Sequence, residues 1–252
     1  LDFIINNKLP ECRIIIWFHN SGFHAPYELP ESLIEYCDRF VFTSPISYEL
    51  PVVKNLSNKL IERLRYIWST GGTERYNHIK KKKHNGFNLL YIGTLDYAKL
   101  DKDFVSICQI ILQEIPDSKI TICGSGCDME NISKELYPEI KDGKVIMTGY
   151  TFDLTSYLEE ADIFLYPLSN KSFATCEQVL GETGFCGIPA VVFNNRAETE
   201  IVKHLRNGLV ANTTKQYIEY IKVLKENLEL RQGLSNYACM DMKEKYSLTT
   251  MI

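Results

Sequence analysis

The run from Phe173 to Val192, FATCEQVLGETGFCGIPAVV, concentrates residues whose types and spacing suit chemistry on a phosphorylated, hydroxyl-rich ligand. Thr175 precedes Gln178 by the spacing of a capping box, which predicts a helix beginning near Cys176 with free N–H groups at its start. Such a helix end attracts anions. Glu177 and Glu182 lie too far apart in helical phase to share a face, so they should do different jobs. A glutamate turned to a cleft accepts from two hydroxyls at once, the pair a ribose or hexose diol offers. The reading that competes is a solvated helical glutamate. Gly181, Thr183 and Gly184 around Glu182 argue against it, because poor helix formers in so short a helix suggest that something approaches closely.

Further candidates follow strands. Gly93 opens the loop GTLDYAKLDKDF, in which Lys99 is either a diphosphate cation or an ordinary exposed lysine. Asp101 and Asp103 form a DxD whose place at a helix start reads as helix capping rather than a metal site. Gly124-Ser125-Gly126 and Thr148-Gly149-Tyr150 are weak signals singly, since tight turns use glycine whatever they bind. Three glycine turns on one edge of one sheet are stronger together. His19 ends the apolar run IIIWF, where a histidine in an α/β domain faces the cleft more often than the core. His24, deeper in the loop, reads as structural or exposed.

The elements needed to position these residues are legible. Strands are expected at 13–18, 39–43 and 65–68, and then at 88–92, 119–123, 144–147, 162–166 and 189–193. Helical patterns fill the gaps. Phe104, Ile107, Cys108, Ile111, Leu112 and Ile115 recur at spacings of three and four, the period of an amphipathic helix. The tail from Thr214 to Tyr246 is expected to be helical, with Tyr217, Ile221, Leu224, Leu228 and Leu234 as its inner face. The polar segment Tyr76 to Gly86, with the lysine run Lys80 to Lys83, is the best linker and reads as a solvated hinge. The expected domains are therefore a partial Rossmann-like domain at 1–80, a nucleotide-binding Rossmann-like domain at 81–235, and a helical segment at 236–252 that crosses back to the first. The chain opens at Leu1 and soon enters RIIIWF, so the first domain reads as incomplete.

With 252 residues and 45% hydrophobic content the chain can bury a real core. A formal net charge of -4 argues against nucleic acid as the main partner. The eight cysteines lack the paired spacing of a zinc site and read as reduced thiols of a cytoplasmic protein. No apolar run approaches the roughly 20 residues of a spanning helix, which leaves peripheral association with the inner face of a membrane open. No GxGxxG follows a strand, which disfavours a nicotinamide dehydrogenase.

As a set, NLLYIGTLDYAKLDKDF, ITICGSGCD, VIMTGYTFDLTSYLEEADIFLYPL, TCEQVLGETGFCGIPAVVFNN and AETEIVKHLRNGLVA resemble the retaining glycosyltransferases of the GT-B fold, in particular the family 4 type that builds bacterial capsule and O-antigen sugars. STGGTERY looks like an altered form of that family's inter-domain pattern. The resemblance implies an α/β fold of two Rossmann-like doubly wound domains, the first incomplete here. It implies metal-independent transfer with no cofactor, from a UDP- or GDP-sugar to a glycan or lipid-linked acceptor. It places His19, Lys99 and Glu177 at the reacting centre. Around the donor it places Gly93, Thr94, Gly124, Gly149, Tyr150, Phe152, the helix start with Thr175, Cys176 and Gln178, and Glu182 on the ribose. Two departures stand out. The first acid of the family's E-x7-E pattern falls on Ala174, so sugar recognition moves to Glu177, and Thr94 stands where an arginine is common. The same residues also fit a noncatalytic nucleotide- or partner-binding module, or a sugar-nucleotide epimerase.

Overall fold

Short runs of aromatic and β-branched residues form nine strands among the described residues, each paired in parallel with its neighbours. The structure is a computed structural model that describes residues 11–25, 27–69 and 73–246. It divides into two compact units, Leu1–Ser69 with Phe173–Cys176, and Thr70–Ser172 with Glu177–Ile252.

In the first unit, β1 (Ile15–Phe18), β2 (Arg39–Phe42) and β3 (Leu64–Tyr66) form a three-stranded sheet in that order. The helices between them are short: α1 (Glu31–Tyr36), α2 (Pro51–Lys54) and α3 (Asn58–Ile61). Parallel strands need crossovers that cover the sheet, so the apolar faces meet. Leu33 and Ile34 of α1 pack with Phe40, Phe42, Leu50, Val53 and Leu64. The segment Phe173–Cys176 joins this unit through the Ser21 amide, which donates to the Phe173 carbonyl at 3.1 Å, and through the Thr43 and Thr175 hydroxyls, 3.2 Å apart.

The second unit holds β4 (Phe87–Ile92), β5 (Ser118–Cys123), β6 (Val145–Gly149), β7 (Ile163–Tyr166), β8 (Ala190–Phe193) and β9 (Gly208–Ala211). Its sheet order is β6-β5-β4-β7-β8-β9, the doubly wound order, which reverses between β4 and β7 and opens a crevice at the strands' carboxyl ends. The expected strands fall within one or two residues of those observed. The sixth, β9, escaped because the four residues GLVA carry too little pattern.

Helices α4 (Phe104–Glu114), α5 (Met129–Glu135), α6 (Tyr137–Lys141), α7 (Thr155–Glu160), α8 (Gln178–Phe185), α9 (Arg196–Ile201), α10 (Thr214–Glu226) and α11 (Leu228–Lys245) complete this unit. All six apolar positions expected on α4 and just past it are buried. The helical tail breaks at Asn227, whose side chain caps α11 by accepting from the Leu230 amide at 2.9 Å. The break resets the phase, so Tyr217, Ile221, Leu224 and Leu234 are buried while Leu228 is exposed. Helix α11 runs unbroken through position 236 and packs on α8, α10 and β9, all in its own unit, where a separate crossing segment was expected. Residues 247–252 lie outside the described ones.

The expected boundary at 80 also moves. Lys81 Nζ donates to the carbonyls of Leu158, at 2.9 Å, and Ala161, capping the end of α7, and the Lys82 amide donates to the Glu159 carbonyl at 2.9 Å. Lys81 and Lys82 thus dock the middle of the lysine run on the second unit, where a solvated hinge was expected, because carbonyls left open at a helix end attract an ammonium. No helix among the described residues is long and apolar enough to cross a membrane.

Candidate functional site

The carboxyl ends of β4, β5 and β6 each finish in a glycine turn, and these turns are tied to one another. Gly93 donates its amide to the Cys123 carbonyl at 3.0 Å, and Gly124 donates to the Gly149 carbonyl at 2.9 Å. Gly124 has φ +150°, and a Cβ there would lie 1.8 Å from the Gly93 carbonyl oxygen. Only glycine lets the two turns approach so closely. A cavity of about 810 Å³ opens over them, lined by Gly93, Thr94, Gly124, Ser125, Tyr150 and Phe152, with Arg75, Tyr76 and His78 on another wall. Tyr150 and Phe152 pack edge to face, with ring centroids 5.0 Å apart, and Phe152 is 91% exposed. Exposed aromatic rings beside a cavity offer a stacking surface to a planar ligand.

Glu182, in α8, is 8% exposed. Its Oε1 accepts from Arg75 Nη2 at 2.6 Å and its Oε2 from the Tyr76 hydroxyl at 3.3 Å. Both partners come from the 3₁₀ turn Thr73–Tyr76. Burial pushes the Glu182 carboxyl up from its ordinary value, and the Arg75 charge opposes that shift. Burial, reinforced by the Glu182 charge, pushes the Tyr76 hydroxyl up to about 12. Glu182 is not among the residues that line the cavity, whereas Arg75 and Tyr76 are.

Glu177 immediately precedes α8 and meets a different set. Its Oε2 accepts from Lys99 Nζ at 2.8 Å and from the Tyr166 hydroxyl at the end of β7. Burial and the Glu177 charge hold that hydroxyl protonated, well above its ordinary value. Beside this group lies Glu198 of α9, 1% exposed, whose Oε1 accepts from Asn195 Nδ2 at 2.8 Å. Burial pushes the Glu198 carboxyl up to about 7, and the Glu177 charge adds to the shift.

Several expectations change. The helix begins at Gln178, two residues later than expected, and carries no side-chain cap. The capping box is not formed because the Thr175 hydroxyl is committed to Thr43 and Ser44. Thr175 and Cys176 belong to the first unit, where Cys176 Sγ reaches the Ser69 carbonyl at 3.5 Å. Gln178 is exposed at the first turn of α8. Gly184 of α8 has a packing reason, since a Cβ there would meet Met242 Cγ of α11 at 2.8 Å, whereas one on Gly181 would make only ordinary contact with Tyr246 at 3.9 Å. Asp103 makes no cap bond either. Asp101 Oδ1 accepts from the Asp103 amide at 2.9 Å, and Asp103 Oδ2 accepts from the Thr214 hydroxyl at 3.2 Å. His19, exposed just beyond β1 in the first unit, packs on Trp17 with ring centroids 4.7 Å apart. Asp96, Cys127 and Asp128 bring ligating atoms within 4.8 Å of one another, but Asp128 already serves the turn by accepting from the Tyr97 amide at 2.9 Å.

The site residues that sequence reasoning missed are Arg75, Tyr76, Tyr166 and Glu198. Arg75 sat in STGGTERY, read only as an altered inter-domain pattern, Tyr76 at the start of the segment read as linker, and Tyr166 was read only as part of a strand. Glu198 carried no local signal: it sits in the polar stretch NNRAETE after β8, where nothing sets it apart from Glu200.

The sequence profile of the family described as Glycosyl transferases group 1 matches residues 73–239, nearly the span of the second unit. This chain belongs to that family. A curated relative, an uncharacterized glycosyltransferase of Haemophilus influenzae, is 24% identical over 246 residues, covering 94% of this chain and 67% of its own. Among solved structures, Anabaena HepE in complex with UDP is 15% identical and superposes with a TM-score of 0.73, covering 95% of this glycosyltransferase-family chain and 70% of its own. Staphylococcus aureus TarM is 16% identical with a TM-score of 0.77, covering 99% and 51%. The pneumococcal O-GlcNAc transferase GtfA, in complex with UDP and GlcNAc, is 12% identical with a TM-score of 0.74, covering 95% and 50%. The chain thus spans about half of some of these proteins and about two thirds of others. Its fold is the GT-B fold of these glycosyltransferases, as its two sets of parallel strands indicated.

Proposed function

We propose that this glycosyltransferase group 1 chain binds a nucleoside diphosphate sugar, UDP- or GDP-linked, and transfers the sugar with retention to a glycan or lipid-linked acceptor in surface polysaccharide biosynthesis, as the family 4 type does. The observation that carries the donor site is the cavity at the carboxyl ends of β4, β5 and β6, with the aromatic pair Tyr150 and Phe152 for the base. Glu182, directly behind the cavity-lining Arg75 and Tyr76, supplies the acceptor for a ribose diol. The UDP found with HepE and with GtfA supports the same donor class.

Transfer breaks the bond between the anomeric carbon and the diphosphate oxygen, leaving an anion and an oxocarbenium-like sugar. Lys99 and the amides at the start of α8 are the groups that would stabilise the developing charge without a metal or cofactor. For Lys99 to do so it must share its charge between Glu177 and the diphosphate. With Ala174 at the first acidic position, Glu177 takes the sugar, and retention follows the front-side route of the family. His19 is assigned to the reacting centre.

The test is a thermal-shift and turnover panel on the full-length protein with UDP, GDP, their sugar conjugates, and NAD as control. Binding to the folded state raises the melting temperature by mass action. A shift with one nucleoside diphosphate, together with acceptor-dependent release of that nucleotide from its sugar conjugate, is the expected result. Binding without turnover would favour a noncatalytic module, a reading that Ala174, buried and without an acid, makes specific. Conversion of the donor with no acceptor present would indicate an epimerase, and no shift at all would sink the donor site.

A further inference from the structure

Glu182 is occupied on both oxygens, and the groups that occupy it stand between it and the cavity. Arg75 Nη2 holds Oε1 at 2.6 Å and the Tyr76 hydroxyl holds Oε2 at 3.3 Å. Each oxygen could accept a further bond, but Arg75 and Tyr76 line the cavity and Glu182 does not, so a diol arriving from the cavity must displace one of them. The Arg75 side chain is 57% exposed while that of Glu182 is 11% exposed, so the guanidinium is the partner free to move toward solvent and the carboxylate is the fixed one. The buried carboxylate must keep a partner, so Arg75 can leave it only as another donor arrives.

Arg75 also has somewhere to go. Among the described residues lining the cavity it is the one with a permanent positive charge. The turns it faces, Gly93-Thr94 and Gly124-Ser125, bring backbone and hydroxyl groups but no lysine or arginine. A diphosphate carries more charge than one carboxylate and matches the planar guanidinium fork with two parallel bonds. Stacking of the guanidinium carbon over the Tyr76 ring, 4.7 Å from its centroid, leaves the fork's edge available.

We propose that Arg75 is a donor-binding residue: it leaves Glu182 for the diphosphate of the incoming nucleotide, and the uncovered carboxylate takes the ribose diol. This rests on the cavity being the donor site. The exchange couples the two ends of the ligand. A nucleoside without phosphates gives Arg75 no reason to leave, so it meets a covered carboxylate.

The experiment is titration calorimetry of the full-length protein with UDP, uridine, GDP and guanosine, comparing wild type with Arg75→Gln and Arg75→Lys. In the wild type the preferred diphosphate binds well and its nucleoside poorly. In Arg75→Gln the diphosphate weakens by about 10- to 100-fold, the span expected for a lost charge-assisted contact. The nucleoside is unchanged or tighter, so the preference for the diphosphate collapses. Arg75→Lys keeps the charge and retains most of that preference, which separates the effect from any disturbance of the fold. A wild type that binds neither UDP nor GDP overturns the donor site itself. A wild type that binds one of them, with the diphosphate-to-nucleoside ratio unaltered in Arg75→Gln, overturns the role of Arg75 alone.

Discussion

Lys99 Nζ lies 2.8 Å from Glu177 Oε2, and neither side chain is more than 16% exposed. The pair joins the loop after β4 to the start of α8, and the Tyr166 hydroxyl donates to the same oxygen. A lysine and a glutamate that separately looked like a phosphate cation and a sugar-binding acid are therefore each other's counter-ion. Any donor that uses one must re-balance the other.

Removing one partner of a little-exposed pair strands the other. Lys99→Met is expected to destabilise the protein by about 3 kcal/mol, with most of that recovered when Glu177→Met is added. Urea unfolding of the two single variants and the double variant measures the coupling. A coupling near zero would mean that water already screens the pair.

Glu198 makes stability depend on pH. Burial raises its carboxyl from 4.5 to about 7 in the folded state, so between those values the folded protein holds a proton that the unfolded chain releases. Its contribution is complete below pH 4.5 and is lost as pH rises through 7, amounting to about 3 kcal/mol. Glu198→Gln keeps an acceptor for Asn195 and needs no proton, so the variant should gain stability relative to wild type as pH climbs from 5 to 8. Parallel urea midpoints for the two proteins across that range would assign the slope to other groups.

Tyr217 of α10 reaches into the sheet, where its buried hydroxyl accepts from the Tyr166 amide at 2.9 Å and donates to the Val191 carbonyl at 2.8 Å. Tyr217→Phe leaves both backbone groups without that partner. A loss of about 2 kcal/mol is expected, with a weaker grip on Glu177 because the same residue, Tyr166, holds it. Denaturation of the variant checks the first expectation. Less than 0.5 kcal/mol would show that water replaces the hydroxyl.

Gly124→Ala tests the turn cluster. Its φ of +150° and the 1.8 Å approach to the Gly93 oxygen leave no place for a methyl group, so the turns after β4 and β5 must separate. A loss of about 3 kcal/mol or more is expected, along with nucleotide binding. Native-like melting with intact binding would mean that the turn can rearrange freely.

The fold was legible because strand runs and the helical period are local properties. The apolar positions of α4, the strands β4, β5, β6, β7 and β8, and the glycine turns that follow β4, β5 and β6 all appear in the order of the chain. The site was legible in composition but not in partnership. Tyr76 to Gly86 looked like a linker since its residues are polar, yet Tyr76 binds Glu182 of α8 and Lys81 binds α7 through groups that local pattern does not record. Gly184 of α8 signalled a close approach, but only packing says that the approaching surface is α11.

By itself the sequence determined which segments become strands and helices, and that the chain carries a parallel, doubly wound sheet with glycine turns at the carboxyl ends of its strands, because hydrophobic period and turn chemistry act over a few residues. The tertiary structure alone decided which charge meets which. Lys99 and Glu177 are 78 positions apart and Arg75 and Glu182 are 107 apart, and ion pairs at such separations exist only once the elements carrying them have packed, since a side chain's partner is set by distance in space and by burial, to which spacing along the chain is blind.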